Sequence, residues 1–75
     1  MEIKVLGPGC PKCRETEENV REAVREAGVE ADIVKVKEAM EIARHGVFGT
    51  PAVIIDGKIK CVGKVPEKEK IKGWL

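Results

Sequence analysis

Two cysteines, Cys10 and Cys13, stand three positions apart behind the turn Gly7-Pro8-Gly9, with only Pro11 and Lys12 between them. Such a pair suits thiol–disulfide exchange, in which one thiolate attacks a disulfide and a second thiol resolves the mixed disulfide. Cys10 falls where a helix takes its N-cap, and Pro11 sits at the first helical position, where a missing N–H costs nothing. A thiolate at that cap faces unpaired backbone N–H groups and the positive end of the helix dipole. Its pKa is expected to fall below the free-cysteine value of about 8.5. Cys13 follows one turn later, at a Cα separation of roughly 5–6 Å that suits a disulfide. Lys12 and Arg14 are solvated residues that can also support the thiolate electrostatically.

A rival chemistry uses the same residues. A pair spaced this way is also half of a tetrahedral zinc site, which Cys61 and His45, or a second subunit, would complete. The alternative reading is therefore a zinc or soft-metal binding module built on Cys10, Cys13 and Cys61. The position of the pair at a strand-to-helix junction favours redox chemistry and assigns no metal. Cys61 alternates with Ile59 along a strand and reads as a small buried hydrophobe. His45 closes a helix, where its partial charge suits the dipole.

The elements that must position the pair follow from periodicity. Ile3-Lys4-Val5-Leu6 is a short apolar strand. From Cys10 to Ala27, apolar residues recur at helical spacing (Cys13, Val20, Ala23, Val24, Ala27), Thr16 fills the gap, and Gly28 stops the run. Glu17 and Arg21 make a favourable pair one turn apart. Ala31 to Val36 reads as a second strand. Lys37 to His45 reads as a shorter helix with Ala39, Met40, Ile42 and Ala43 inward, ended by Gly46. Ala52-Val53-Ile54-Ile55 is apolar throughout, as a strand covered on both faces would be. Asp56-Gly57 is a hairpin turn returning through Ile59 and Cys61. Pro66 opens a last helix that turns Ile71, Trp74 and Leu75 to the core.

The order βαβαββα makes the first two strands parallel through a right-handed crossover. The hairpin makes the last two antiparallel. The expected fold class is α/β, a mixed four-stranded sheet flanked by helices, in a single domain over residues 1–75.

Composition narrows the function further. Charged residues make up 36% of the chain, yet the net charge is +1, without the basic excess that a nucleic-acid partner would favour. No apolar run is long enough to span a bilayer, and Met1 leads directly into the first strand, so the expectation is a cytoplasmic, monomeric protein without a membrane partner. In that reducing compartment, paired cysteines are usually catalytic or metal-binding rather than structural. The absence of Gln and the single Asn19, set against many Glu, Lys and Arg residues, fit a thermophilic source.

The ordered set Ile3-Lys4-Val5-Leu6, Gly9-Cys10-Pro11-Lys12-Cys13, Gly46-Val47, Thr50-Pro51-Ala52, Asp56-Gly57-Lys58, Gly63 and Val65-Pro66 covers nearly the whole chain. It resembles the thioredoxin-like fold, most closely the glutaredoxin-sized archaeal and bacterial small redox-active disulfide proteins. The resemblance implies that Cys10 is the attacking thiolate, Cys13 the resolving thiol, and the pair a redox-active disulfide. It implies a cis bond at Thr50-Pro51, in a loop that faces the sulfurs and offers Thr50 backbone groups to a substrate strand. Phe48 then belongs either to the core or to a substrate-facing patch beside that loop. Protein disulfides are the implied substrates, an upstream reductase the implied electron donor, and no cofactor is needed. The chain departs from relatives at Gly9, where thioredoxins usually carry Trp. It departs again at Val62-Gly63-Lys64-Val65, which lacks the Gly-Gly and acid that hold glutathione in glutaredoxins.

Overall fold

The computed structural model describes residues 1–9, 11–47 and 49–75. Seven elements run in the order β1 (Glu2–Leu6), α1 (Pro11–Ala27), β2 (Asp32–Val36), α2 (Ala39–Arg44), β3 (Ala52–Ile55), β4 (Lys58–Val62) and α3 (Lys68–Trp74). The strands form one sheet in the order β2-β1-β3-β4. β1 and β2 are parallel, whereas β1–β3 and β3–β4 are antiparallel. The fold is the α/β βαβαββα arrangement expected from the sequence.

Alternation along β1 and β3 builds two cores. Ile3, Val5, Val53 and Ile55 point to one face and pack with Val20 and Ala23 of α1 and Ile71 of α3. Leu6, Ala52 and Ile54 point to the other and pack with Ile42 of α2 and Val47. All four residues of β3 are buried, as its unbroken apolar run requires. Thr16 completes the α1 stripe, fully buried, its hydroxyl donating to the Lys12 carbonyl at 2.9 Å. The Asn19 side-chain amide donates to the Pro66 carbonyl at 2.9 Å and ties α1 to the approach of α3. At the hairpin, Asp56 and Gly57 both have positive φ (48° and 81°), the two-residue geometry whose twist matches its strands.

Several sequence expectations need correction. The second helix is six residues long, not the span Lys37 to His45, because Glu38 is extended (φ −77°, ψ 132°) and acts as N-cap. It buries only Ile42; Ala39 and Ala43 are exposed and Met40 is 71% exposed. Fewer than two helical turns cannot set a whole apolar face on the sheet. The last helix begins at Lys68 rather than Pro66, since Glu67 is still extended (φ −74°, ψ 151°). Ala27 is exposed at the final turn of α1, and Val34 is exposed on the edge strand β2. Ile59 and Cys61 do not share a face. A register shift between Val53 and Ile54 pairs Cys61 with Val53 and Ile59 with Ile54, leaving Lys60 as the extra residue of a bulge. Cys61 therefore packs against the α1–α3 core while Ile59, 48% exposed, faces the α2 side.

Candidate functional site

The site lies where β1 hands the chain to α1. Helix α1 starts at Pro11, as the N-terminal proline predicts, and carries Cys13 on its first turn facing inward, 6% exposed. Cys10 and Phe48, two of the residues singled out in the sequence, lie outside the described residues.

Gly7 explains how Cys13 fits. Its N–H donates to the Val36 carbonyl at 2.8 Å, extending the β1–β2 ladder by one residue. Any Cβ at Gly7 would collide with the Cys13 Sγ, and it would stand 3.9 Å from the Thr50 Cβ. Glycine is required here for close approach, not for an unusual φ. Cys13, Gly7 and Thr50 thus stack from the helix through the strand end to the loop before β3. The Thr50-Pro51 bond is cis, and Pro51 is fully buried. Its carbonyl accepts from the Gly63 N–H at 2.9 Å, which fastens the loop to the end of β4.

Beside Cys13 a cavity of about 170 Å³ opens between α1 and β2, with Glu17, Lys35, Arg14 and Lys37 in its wall. Glu17 lies one turn beyond Cys13 on the same side of α1, and Lys35 is the β2 partner of Val5. The Lys35 Nζ stands 2.9 Å from Glu17 Oε2, and the Arg21 Nε donates to Glu17 Oε1 at 3.0 Å. Lys35, then Arg21, hold the Glu17 carboxyl below its usual range despite partial burial. The Glu17–Arg21 pair was legible in the sequence. The Lys35 contact was not, because it needs the β1–β2 register. A larger hollow of about 560 Å³ lies along the later half of α1, near Val24, Gly28 and Ile33, and neither described cysteine, Cys13 nor Cys61, lines it.

Cys61 is not among the described residues that line the cavity beside Cys13. Its Sγ is 3.2 Å from the Lys64 carbonyl and it packs on the α1–α3 core. His45 caps α2, as expected from its place at the helix end. Among the described residues, no three His, Cys, Asp or Glu side chains are grouped as metal ligands, and no helix is long and apolar enough to cross a membrane.

Comparison with known proteins gives the same reading of the fold. The sequence model of the thioredoxin domain matches residues 1–75. A thioredoxin of Methanocaldococcus jannaschii is 51% identical over 73 residues, which cover 97% of this chain and 84% of that protein. A thioredoxin of Methanothermobacter thermautotrophicus is 42% identical over 75 residues, covering 100% of this chain and 97% of that protein. Both relatives come from thermophilic archaea, in keeping with the composition. With the whole chain matched and the βαβαββα fold in place, the chain belongs to the thioredoxin domain family.

Proposed function

We propose that this protein is a dithiol–disulfide oxidoreductase that reduces or exchanges disulfides of other proteins through Cys10 and Cys13. The observation that carries the reading is the stack of Cys13, Gly7 and Thr50 beside a cis Thr50-Pro51 bond, at the end of the helix that follows Cys10.

The Cys10 thiolate attacks one sulfur of a partner disulfide; a Cys10–partner bond forms, and the partner's other sulfur leaves as a thiolate. Cys13 then loses its proton and attacks the Cys10 sulfur, closing the Cys10–Cys13 disulfide and releasing the second partner thiolate. The partner gains two electrons and the protein loses two, which an upstream reductase restores. Burial of Cys13 protects it from outside disulfides until Cys10 is occupied. Its proton leaves through the adjoining cavity, where the Glu17 carboxylate receives it by way of water and Lys35 and Arg21 keep that carboxylate ionised beforehand. Thr50 stands in the loop where a partner segment lies while its sulfur is attacked, and Phe48 belongs to the same loop by sequence. The protein works as a monomer in a reducing compartment.

Trapping tests these roles. Cys13→Ser is expected to accumulate a covalent complex with a disulfide-bearing protein, and Cys10→Ser to accumulate little. Thiol counting should show a reversible loss of two thiols in the wild type. Neither variant trapping a partner, together with stoichiometric zinc in the purified protein, would end the redox reading in favour of metal binding.

A further inference from the structure

Beside Thr50, on the side of the sheet away from Cys13, a groove of about 340 Å³ opens to solvent. Ile42 and Val47, both nearly buried, form its floor. Ala39 and Ala43, one turn apart on α2 and both exposed, form one wall; Pro8 and Thr50 form the other. Met40, on the same short helix, is 71% exposed, a flexible side chain of the kind that adapts to varied partners. The sequence patterns Ala39, Met40 and Ala43 as core, yet all three are exposed, and among the described residues nothing covers them.

Three observations say what does. First, the groove is continuous with the exchange site: Pro8 stands two residues before Cys10 in sequence, and Thr50 precedes the cis Pro51. Second, neither backbone group of Thr50 has a backbone partner among the described residues, so the wall of the groove offers a donor and an acceptor to an extended polypeptide. Third, Lys37 lines both this groove and the cavity beside Cys13, and Arg14 lines the latter. Neither cation has an ion pair among the described residues, whereas Lys35 is already neutralised by Glu17 at 2.9 Å. The neighbouring acid Glu38 is not part of the groove wall.

We infer that the α2 groove and Lys37 select the partner, which carries a bulky apolar residue beside its reactive cysteine and an acidic residue one step beyond. The inference rests on the exchange reading above. The apolar side chain displaces water from Ala39, Ala43 and Ile42, the Thr50 backbone pairs with the segment, and Lys37 meets the carboxylate. Burial of apolar surface supplies the grip, and the cation supplies discrimination and on-rate.

The test uses the full-length reduced protein and three peptides, each with its cysteine linked as a mixed disulfide to thionitrobenzoate: Glu-Leu-Cys-Leu-Glu, Glu-Ala-Cys-Ala-Glu and Lys-Leu-Cys-Leu-Lys. Attack on the peptide sulfur releases the coloured thionitrobenzoate, and the neutral 2-hydroxyethyl disulfide serves as a substrate too small to fill the groove. The first peptide is expected to react about tenfold faster than either of the others, the size of effect that partial burial of one Leu or one well-placed charge supplies. Ala43→Glu should remove the advantage of Leu over Ala. Lys37→Glu should reverse the preference between the acidic and basic peptides. Ala43→Glu should keep the wild-type rate with the small disulfide, which also shows that it is folded. The peptide rates of Lys37→Glu, whose side chain also lines the cavity beside Cys13, are read as a ratio to that variant's own rate with the small disulfide. Equal rates for all three peptides, with normal turnover of the small disulfide, would overturn the inference and leave the exchange reading standing. Failure of the wild type on the small disulfide would remove the exchange reading and this inference with it. A micromolar dimer that Ala43→Glu dissociates would assign the groove to a second copy of the chain and overturn it as well.

Discussion

The two faces of the sheet are built differently. One is roofed by α1 and α3, with seven fully buried or nearly buried residues in its core and Val24, Trp74 and Leu75 closing the edges. Acidic residues of α1 meet basic residues of α3 across that roof: Lys68 lies 2.6 Å from Glu26, and Lys72 3.2 Å from it. On the other face, the six-residue α2 is the one helix among the described residues, and Val47 packs beside it. By register Val34, Ile59 and Val62 belong to this second face, and each is between 39% and 48% exposed. The same strands thus carry a sealed side, which supplies stability, and an open side, which retains apolar surface next to the proposed exchange site. A 75-residue chain has little core to spare. Concentrating it on one face leaves apolar side chains of the other exposed.

Truncating the same residue type on each face tests that contrast most directly. Ile71→Ala, in the fully buried α1–α3 core, is expected to lower stability by about 3–4 kcal/mol, toward the upper part of the range for large-to-small core changes. Ile42→Ala, under the short α2 and already 7% exposed, should lower it by about 2 kcal/mol, because water can reach part of the gap. Urea denaturation of both variants gives the comparison, and equal losses would break it. At the junction of the two faces, Gly7→Ala forces a Cβ onto the Cys13 sulfur and should destabilise by about 1–3 kcal/mol while slowing resolution of mixed disulfides. Gly73, in α3 with open space where a Cβ would go, is its control: Gly73→Ala should stabilise by up to about 1 kcal/mol.

Smaller effects sharpen the same picture. Met40→Gln and Val62→Thr on the open face should each change stability by no more than about 0.5 kcal/mol, despite removing apolar side chains. A loss of 2 kcal/mol or more from either would mean that this face is closed in the free protein. The smallest effect is in the acid limb. The carboxyl of Glu17 is held low by Lys35 and Arg21, so its folded-state pKa lies below its unfolded value, near 4.5. Its stabilising contribution is complete above that unfolded value and disappears as the pH falls through the depressed folded one. Glu26 behaves alike through Lys68 and Lys72. Glu17→Gln should therefore flatten the fall in melting temperature below about pH 4.5, measured by thermal unfolding from pH 3 to 7. The exposed Glu26 pairs should weaken further in 1 M salt, where the screening length is about 3 Å.

Local patterns announced most of the architecture. The unbroken run Ala52–Ile55 became a strand buried on both faces, and Asp56-Gly57 became the tight hairpin, because both signals are local and strong. Pro11 and Gly28 bounded α1, since each acts through its own backbone geometry. The place of Cys13 was legible for the same reason: helical spacing alone puts it on the apolar stripe of α1. Tertiary structure decided the remainder. Whether Ala39, Met40 and Ala43 are core depends on what lies opposite them, and the sheet offers only enough cover for Ile42. The bulge at Lys60, which parts Ile59 from Cys61, follows from pairing with β3 rather than from alternation within β4. Gly7 reads as a turn residue until α1 folds back and sets a sulfur against it. Glu17 reads as half of a helix-surface pair until β2 brings Lys35 alongside. Periodicity and turn chemistry are properties of neighbouring residues, so the sequence determined the elements, their order and the place of Cys13 on the first turn of α1. Contacts between residues far apart in the chain depend on register and packing, so only the folded sheet decided which face is sealed, which is open, and what surrounds Cys13.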